Sequence, residues 1–154
     1  MVNGVPSDSA TIEVAVEIYM DVYAFETSWT LAELDTGLTV KHVPYREYKH
    51  ENSVREVFNL TMGKSYRFTI YDQFGDGIKS KGSYRVFLVD DSQYESVGTM
   101  LLEDDGDFGS KRSQTFQVPR LSIPNPTPRR DQASIQKNRA RNRIGIIGHG
   151  FLSP

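Results

Sequence analysis

Ile12-Glu13-Val14-Ala15-Val16-Glu17-Ile18-Tyr19-Met20-Asp21-Val22 changes character at almost every step. Ile12, Val14, Val16, Ile18, Met20 and Val22 fall on one face at a period of two, while Glu13, Glu17 and Asp21 fall on the other. Only an extended chain sends alternate side chains to opposite faces, so the stretch predicts a strand with one side in a core and the other in water. Shorter stretches of the same kind follow at residues 28–34, 38–43, 54–60, 65–71, 83–89, 97–102 and 113–118.

Turn-forming residues punctuate this series. They are Asp35-Thr36-Gly37, Thr61-Met62-Gly63-Lys64, the loop 72–82, Asp90-Asp91-Ser92, and Asp104-Asp105-Gly106-Asp107 with Gly109. No convincing helical pattern occurs before Pro119. About eight short strands at this rhythm predict an all-β chain folded as an antiparallel β-sandwich or jelly roll.

The composition changes after Val118. Pro119, Pro124, Pro126 and Pro128 remove backbone donors and favour an extended linker. Beyond them lies a basic stretch containing Arg129, Arg130, Lys137, Arg139, Arg141 and Arg143, with too few apolar positions to fold alone. Residues 1–118 carry 19 acidic and 11 basic side chains, and residues 119–154 carry one acidic and seven basic. The expected organisation is a sandwich domain over 1–118 and a Pro-rich linker with a basic C-terminal tail over 119–154. The tail's charge suits an acidic partner; nucleic acid is poorly supported, because Phe151 is its only aromatic ring for base stacking.

The chain of 154 residues contains no cysteine, which rules out disulfides, thiolate nucleophiles and Cys-ligated zinc. No apolar run approaches the ~20 residues of a transmembrane helix, and the first residues lack a signal-peptide pattern. These features predict a chain that stays inside the cell, or a fragment whose export signal has been removed. His42 and His50 lack zinc-helix spacing, and no nucleophile and base stand at a recognisable distance, so neither a zinc helix nor a hydrolytic triad can be argued.

The most chemically specific segment is Asp72-Gln73-Phe74-Gly75-Asp76-Gly77-Ile78, placed between two predicted strands. If successive strands alternate in direction, every second connection reaches the same end of the sandwich. The loop at Ala24-Phe25-Glu26-Thr27, the loop 44–53 and the loop 104–112 would then join it, gathering Glu26, Asp72, Asp76, Asp104, Asp105 and Asp107. Carboxylates so crowded repel one another, and either take up protons or bind a cation. Glu26, Asp72, Asp76, Asp105 and Asp107 are the candidate ligands, and Ca²⁺ is the candidate ion, because it accepts six to eight oxygens in flexible geometry. The other reading is that Asp and Gly are simply good turn formers.

Trp29 is the sole tryptophan and is expected in the core, with Tyr66, Phe68, Tyr84, Val86 and Phe116. Tyr19, Tyr45, Tyr48, Tyr71 and Tyr94 are expected to face outward, with Tyr45, Tyr48 and Tyr71 as a ligand-stacking set.

As a set, Phe25-Glu26-Thr27-Ser28-Trp29-Thr30-Leu31, Asp35-Thr36-Gly37, Gly63-Lys64-Ser65-Tyr66-Arg67-Phe68-Thr69-Ile70, the segment 72–78, Gly82-Ser83-Tyr84-Arg85-Val86, Asp107-Phe108-Gly109 and Thr115-Phe116 form a pattern. It resembles a β-sandwich module of extracellular and cell-surface proteins of diatoms and some marine bacteria, related in style to pre-peptidase C-terminal and CUB-like domains. The resemblance covers about residues 12–118. Members usually carry cysteine where this chain has Asp35 and Lys79. The resemblance implies a non-catalytic binding or adhesion module at the cell surface, recognising a glycan or a protein. The alternative is an intracellular assembly subunit whose basic tail docks onto partner chains.

Overall fold

The computed structural model of the chain describes residues 10–78, 81–89 and 97–120. They form eight strands: β1 (Thr11–Tyr19), β2 (Thr27–Glu33), β3 (Thr39–Val43), β4 (Ser53–Thr61), β5 (Ser65–Asp72), β6 (Ser83–Val89), β7 (Val97–Asp104) and β8 (Lys111–Gln117). One short 3₁₀ turn, Ala24–Glu26, precedes β2. No helix among the described residues is long and apolar enough to cross a membrane. The basic tail residues Arg129 to Arg143, and Tyr94, lie outside the described residues.

The strands pair into two four-stranded sheets, ordered β4-β1-β6-β7 and β3-β2-β5-β8. Every pairing is antiparallel. The chain is therefore an antiparallel β-sandwich. Only β2–β3 and β6–β7 are hairpin neighbours within a sheet, and the other connections cross between sheets.

The alternation in β1 is realised physically. Val14, Val16 and Ile18 are buried in the core, and Glu13 and Glu17 point away from it. Their apolar cross-strand neighbours are Phe58 and Val54 on β4 and Leu88, Val86 and Tyr84 on β6. The second sheet contributes Trp29, Leu31, Tyr66, Phe68, Ile70 and Phe116 to the same cluster. The rings of Trp29, Phe68 and Tyr84 run through its centre at centroid spacings of 5.7 Å and 5.0 Å. Where the edge strands β3 and β4 meet, Lys41 Nζ bonds Glu56 Oε2 at 2.8 Å and links the two sheets.

The first strand is shorter than its pattern predicts. Residues Met20 to Val22 continue the alternation, but the Asp21 carboxylate accepts the Tyr23 amide at 2.8 Å and turns the chain. Val22 is consequently left 79% exposed instead of joining the core face. A side chain that offers the backbone a local partner ends the strand.

At the pole opposite the 72–78 loop, Lys64 bridges Asp35 at 2.8 Å and Glu33 at 3.3 Å. The contact is exposed and screened by solvent.

Candidate metal centre

Four connections reach one pole and are bonded to one another. The Met20 amide donates to Asn52 O at 2.9 Å, Arg46 N to Phe25 O at 2.9 Å, Gln73 N to Glu26 O at 3.0 Å, Asp72 N to Ser110 O at 3.1 Å, and Ile78 N to Gly106 O at 3.0 Å. The parity expectation thus describes the strands as they stand.

Asp72 ends β5 on the face that carries Tyr66, Phe68 and Ile70 into the core, so its carboxylate is directed inward and is buried. One of its oxygens, Oδ1, accepts the amides of Phe74 at 3.1 Å, Gly75 at 2.5 Å and Asp76 at 3.1 Å. These bonds wind the following residues into a tight loop whose glycines, Gly75 and Gly77, have φ of 86° and 72°. That left-handed backbone is why the loop is glycine-rich. A Cβ on Gly77 would collide with the carbonyl of Gly106, so two bare backbones lie in contact there.

The wound loop returns Asp76 toward Asp72. Carboxylate oxygens of Glu26, Asp72 and Asp76 all lie within 4.8 Å of one another, with Glu26 and Asp72 buried and Asp76 exposed. The Glu26 carboxyl is pushed above its ordinary 4.5, first by burial and then by the charges of Asp72, Asp76 and Asp21. Tyr45 belongs to the same neighbourhood: burial and the Asp72 charge raise its hydroxyl above the usual value.

Thr27 adjoins the group through its register with Asp72. It stands directly opposite Asp72 in the β2–β5 register, so both side chains leave the same face of the sheet, two residue pairs beyond Trp29 and Ile70. Thr27 is fully buried, and its hydroxyl oxygen has no hydrogen-bond partner. Sequence reading passed over this residue, because threonine in a strand is unremarkable; only its register to Asp72 distinguishes it.

Asp105 and Asp107 reach the same pole but lie outside that group. Asp105 Oδ1 accepts the Asp107 amide at 3.2 Å, and Asp104 Oδ1 accepts that of Gly106 at 3.0 Å, so these carboxylates shape their own turn. Arg112 pairs with Asp104 at 3.3 Å and donates to the Asp107 carbonyl at 3.1 Å. Asp105 also lines an open groove with Ser83, Glu103 and Asp104.

The tyrosine set divides. Tyr48 corrects the expectation of an outward face: it is buried in the core, where its hydroxyl accepts the indole N–H of Trp29 at 2.9 Å. A buried indole donor needs an acceptor, and the 44–52 loop folds inward to supply one. Tyr71 is half-buried with Lys111 Nζ 5.4 Å from its ring centre, and Tyr45 is exposed. No protein-family model, curated protein or solved structure matches this chain.

Proposed function

We propose that the chain is a non-catalytic binding module that holds a calcium ion at the pole of its sandwich and uses it to grip oxygen groups of a ligand. The observation that carries this reading is the gathering of Glu26, Asp72 and Asp76 within 4.8 Å beside the buried, unpartnered hydroxyl of Thr27. Burying carboxylates together is costly unless a positive charge compensates. Oxygens at ~2.4 Å from a calcium ion span ~4.8 Å across its coordination sphere, so the three carboxylates fit around one such ion. Asp72 Oδ1 is engaged by amides, which leaves Oδ2 for the ion. Three carboxylates and a hydroxyl supply about half of the six to eight oxygens that calcium takes, and ligand or water supplies the rest. Magnesium, with its ~2.1 Å octahedral shell, suits the spacing less well. The non-catalytic part of this reading comes from the resemblance to cell-surface β-sandwich modules.

Thermal melting of the full chain with calcium, with magnesium and with chelator tests the site. Calcium at a hundredfold excess over Kd stabilises by about 2.7 kcal/mol. An unchanged melting temperature across the three conditions overturns the proposal.

A further inference from the structure

Among the described residues, the exposed aromatic rings all lie at the end of the sandwich that carries the carboxylates. Phe74 is 72% and Tyr23 52% exposed, and Phe25 and Tyr45 are exposed with them, each in a loop of this pole. Tyr19, the fifth, ends β1 there. The exposed aliphatic side chains are placed differently: Val22 shares the pole, but Leu38, Val40, Val57 and Met100 lie at the opposite end or along β3, β4 and β7. What is concentrated is flat rings, not apolar surface in general. Three of these rings are tied to the carboxylates through the backbone. Phe25 precedes Glu26, the Phe74 amide donates to Asp72 Oδ1, and Arg46, next to Tyr45, donates its amide to Phe25 O at 2.9 Å.

We propose that this pole binds a neutral glycan: two adjacent hydroxyls of one sugar chelate the calcium ion, and the C–H face of the sugar rests on the rings of Phe74 and Tyr45. This inference rests on the calcium reading above. The open side of the ion selects the ligand atoms. Glu26 and Asp72 are buried and Asp76 is exposed, so the coordination places left free face the side of Asp76, in the loop that carries Phe74. Those places require oxygen lone pairs. Three carboxylates bring one more negative charge than the ion removes, so phosphate, sulfate and carboxylate groups are repelled. An ammonium group has no lone pair to offer and is repelled by the ion itself. Neutral oxygens remain. An adjacent pair held on one rigid ring is favoured over two waters or two separate carbonyls, because the second oxygen joins without a further loss of free motion. A sugar ring carries such a pair beside a rigid C–H face, which suits aromatic rings set among carboxylates better than it suits a continuous apolar patch. Of the tyrosines expected to stack, Tyr45 keeps its ring exposed at this pole.

The test is retention of the full chain on beads carrying mannan, xylan or β-1,4-galactan, with gelatin beads as a protein surface, each in calcium and in chelator. The proposal expects retention in calcium on at least one of these neutral polysaccharides and release by chelator. Retention is lost once periodate oxidation and borohydride reduction have cleaved the vicinal hydroxyl pairs of the polysaccharide. Phe74→Ser and Tyr45→Ser weaken retention by roughly fivefold or more at the parent melting temperature and calcium shift, whereas Leu38→Ser and Val57→Ser leave it unchanged. Any of four results overturns it: no polysaccharide retention by a chain that calcium still stabilises, retention indifferent to chelator or to periodate, retention untouched by the two ring substitutions, or calcium-dependent retention on gelatin alone. Absence of the calcium shift removes the ion site itself, a separate failure read directly from the melt.

Discussion

Thr27 and Asp72 face each other across β2 and β5, yet one oxygen of Asp72 collects three amide hydrogen bonds while the Thr27 hydroxyl collects none. The two halves of the pair have different duties. Asp72 builds the loop through one oxygen and keeps the second for the proposed ion, whereas the hydroxyl of Thr27 serves no bond within the described protein.

Thr27→Val separates these duties. Replacing an unpartnered buried hydroxyl by a methyl of the same shape removes a desolvation cost, so the variant matches or exceeds the parent in chelator by up to ~1 kcal/mol. The calcium-induced rise in melting temperature shrinks. Asp72→Ala behaves oppositely, losing stability by about 1–3 kcal/mol in chelator because three amides are released. Parallel melts of the two variants, with and without calcium, check both statements.

Glu26 would make the proposed ion site pH-dependent. Its folded-state value is raised above the ordinary 4.5, so folding takes up a proton in that range. In chelator, the stability owed to this group is fully present below pH 4.5 and is lost as pH rises through the folded value. Calcium displaces that proton, so its affinity falls on acidification and its binding releases protons. Glu26→Gln removes the proton release and weakens the calcium shift. Calorimetry in buffers of different ionisation enthalpy measures it.

Tyr48 and Trp29 form a buried polar contact in the core. Tyr48→Phe leaves the indole N–H without its acceptor and costs about 1–3 kcal/mol in denaturant unfolding. Burial pushes the Tyr48 hydroxyl from 10.0 to about 12, the Trp29 bond opposing the shift. Stability from this group is intact below pH 10.0 and is lost as pH climbs toward about 12. Tyrosinate absorbance followed through an alkaline titration shows this phenol ionising together with unfolding.

Two glycines with similar backbones differ in surroundings. Gly37 has φ of 71° and nothing within 4 Å of where a Cβ would be, while Gly77 has φ of 72° and the Gly106 carbonyl in that place. Gly37→Ala costs about 1–2 kcal/mol from the left-handed backbone alone. Gly77→Ala adds a backbone collision and costs more, and it also diminishes the calcium shift. Urea midpoints of the two variants rank them.

The strands were legible because their inward residues are large and apolar at period two, as in Val14, Val16 and Ile18 or Tyr66, Phe68 and Ile70. Strand parity alone carried Glu26 to Asp72, a relationship between residues distant in sequence. What sequence could not convey was the competition among local bonds. Asp21 turns the chain and exposes Val22, and Asp104 and Asp105 spend their oxygens on their own turn amides. Tyr48 reads as a surface residue until its partner Trp29 is placed beneath it. Thr27 gains meaning from its register alone.

The bare contact of Gly77 with Gly106 has an engineering consequence. Because the Gly106 carbonyl occupies the place a Gly77 Cβ would take and the Ile78 side chain fills the place of a Gly106 Cβ, neither loop can be exchanged for a designed segment alone; a transplant has to carry residues 72–78 and 104–110 together. A library that diversifies the exposed Phe74, while leaving both glycines fixed, keeps the hinge-free joint and varies only what the tip presents.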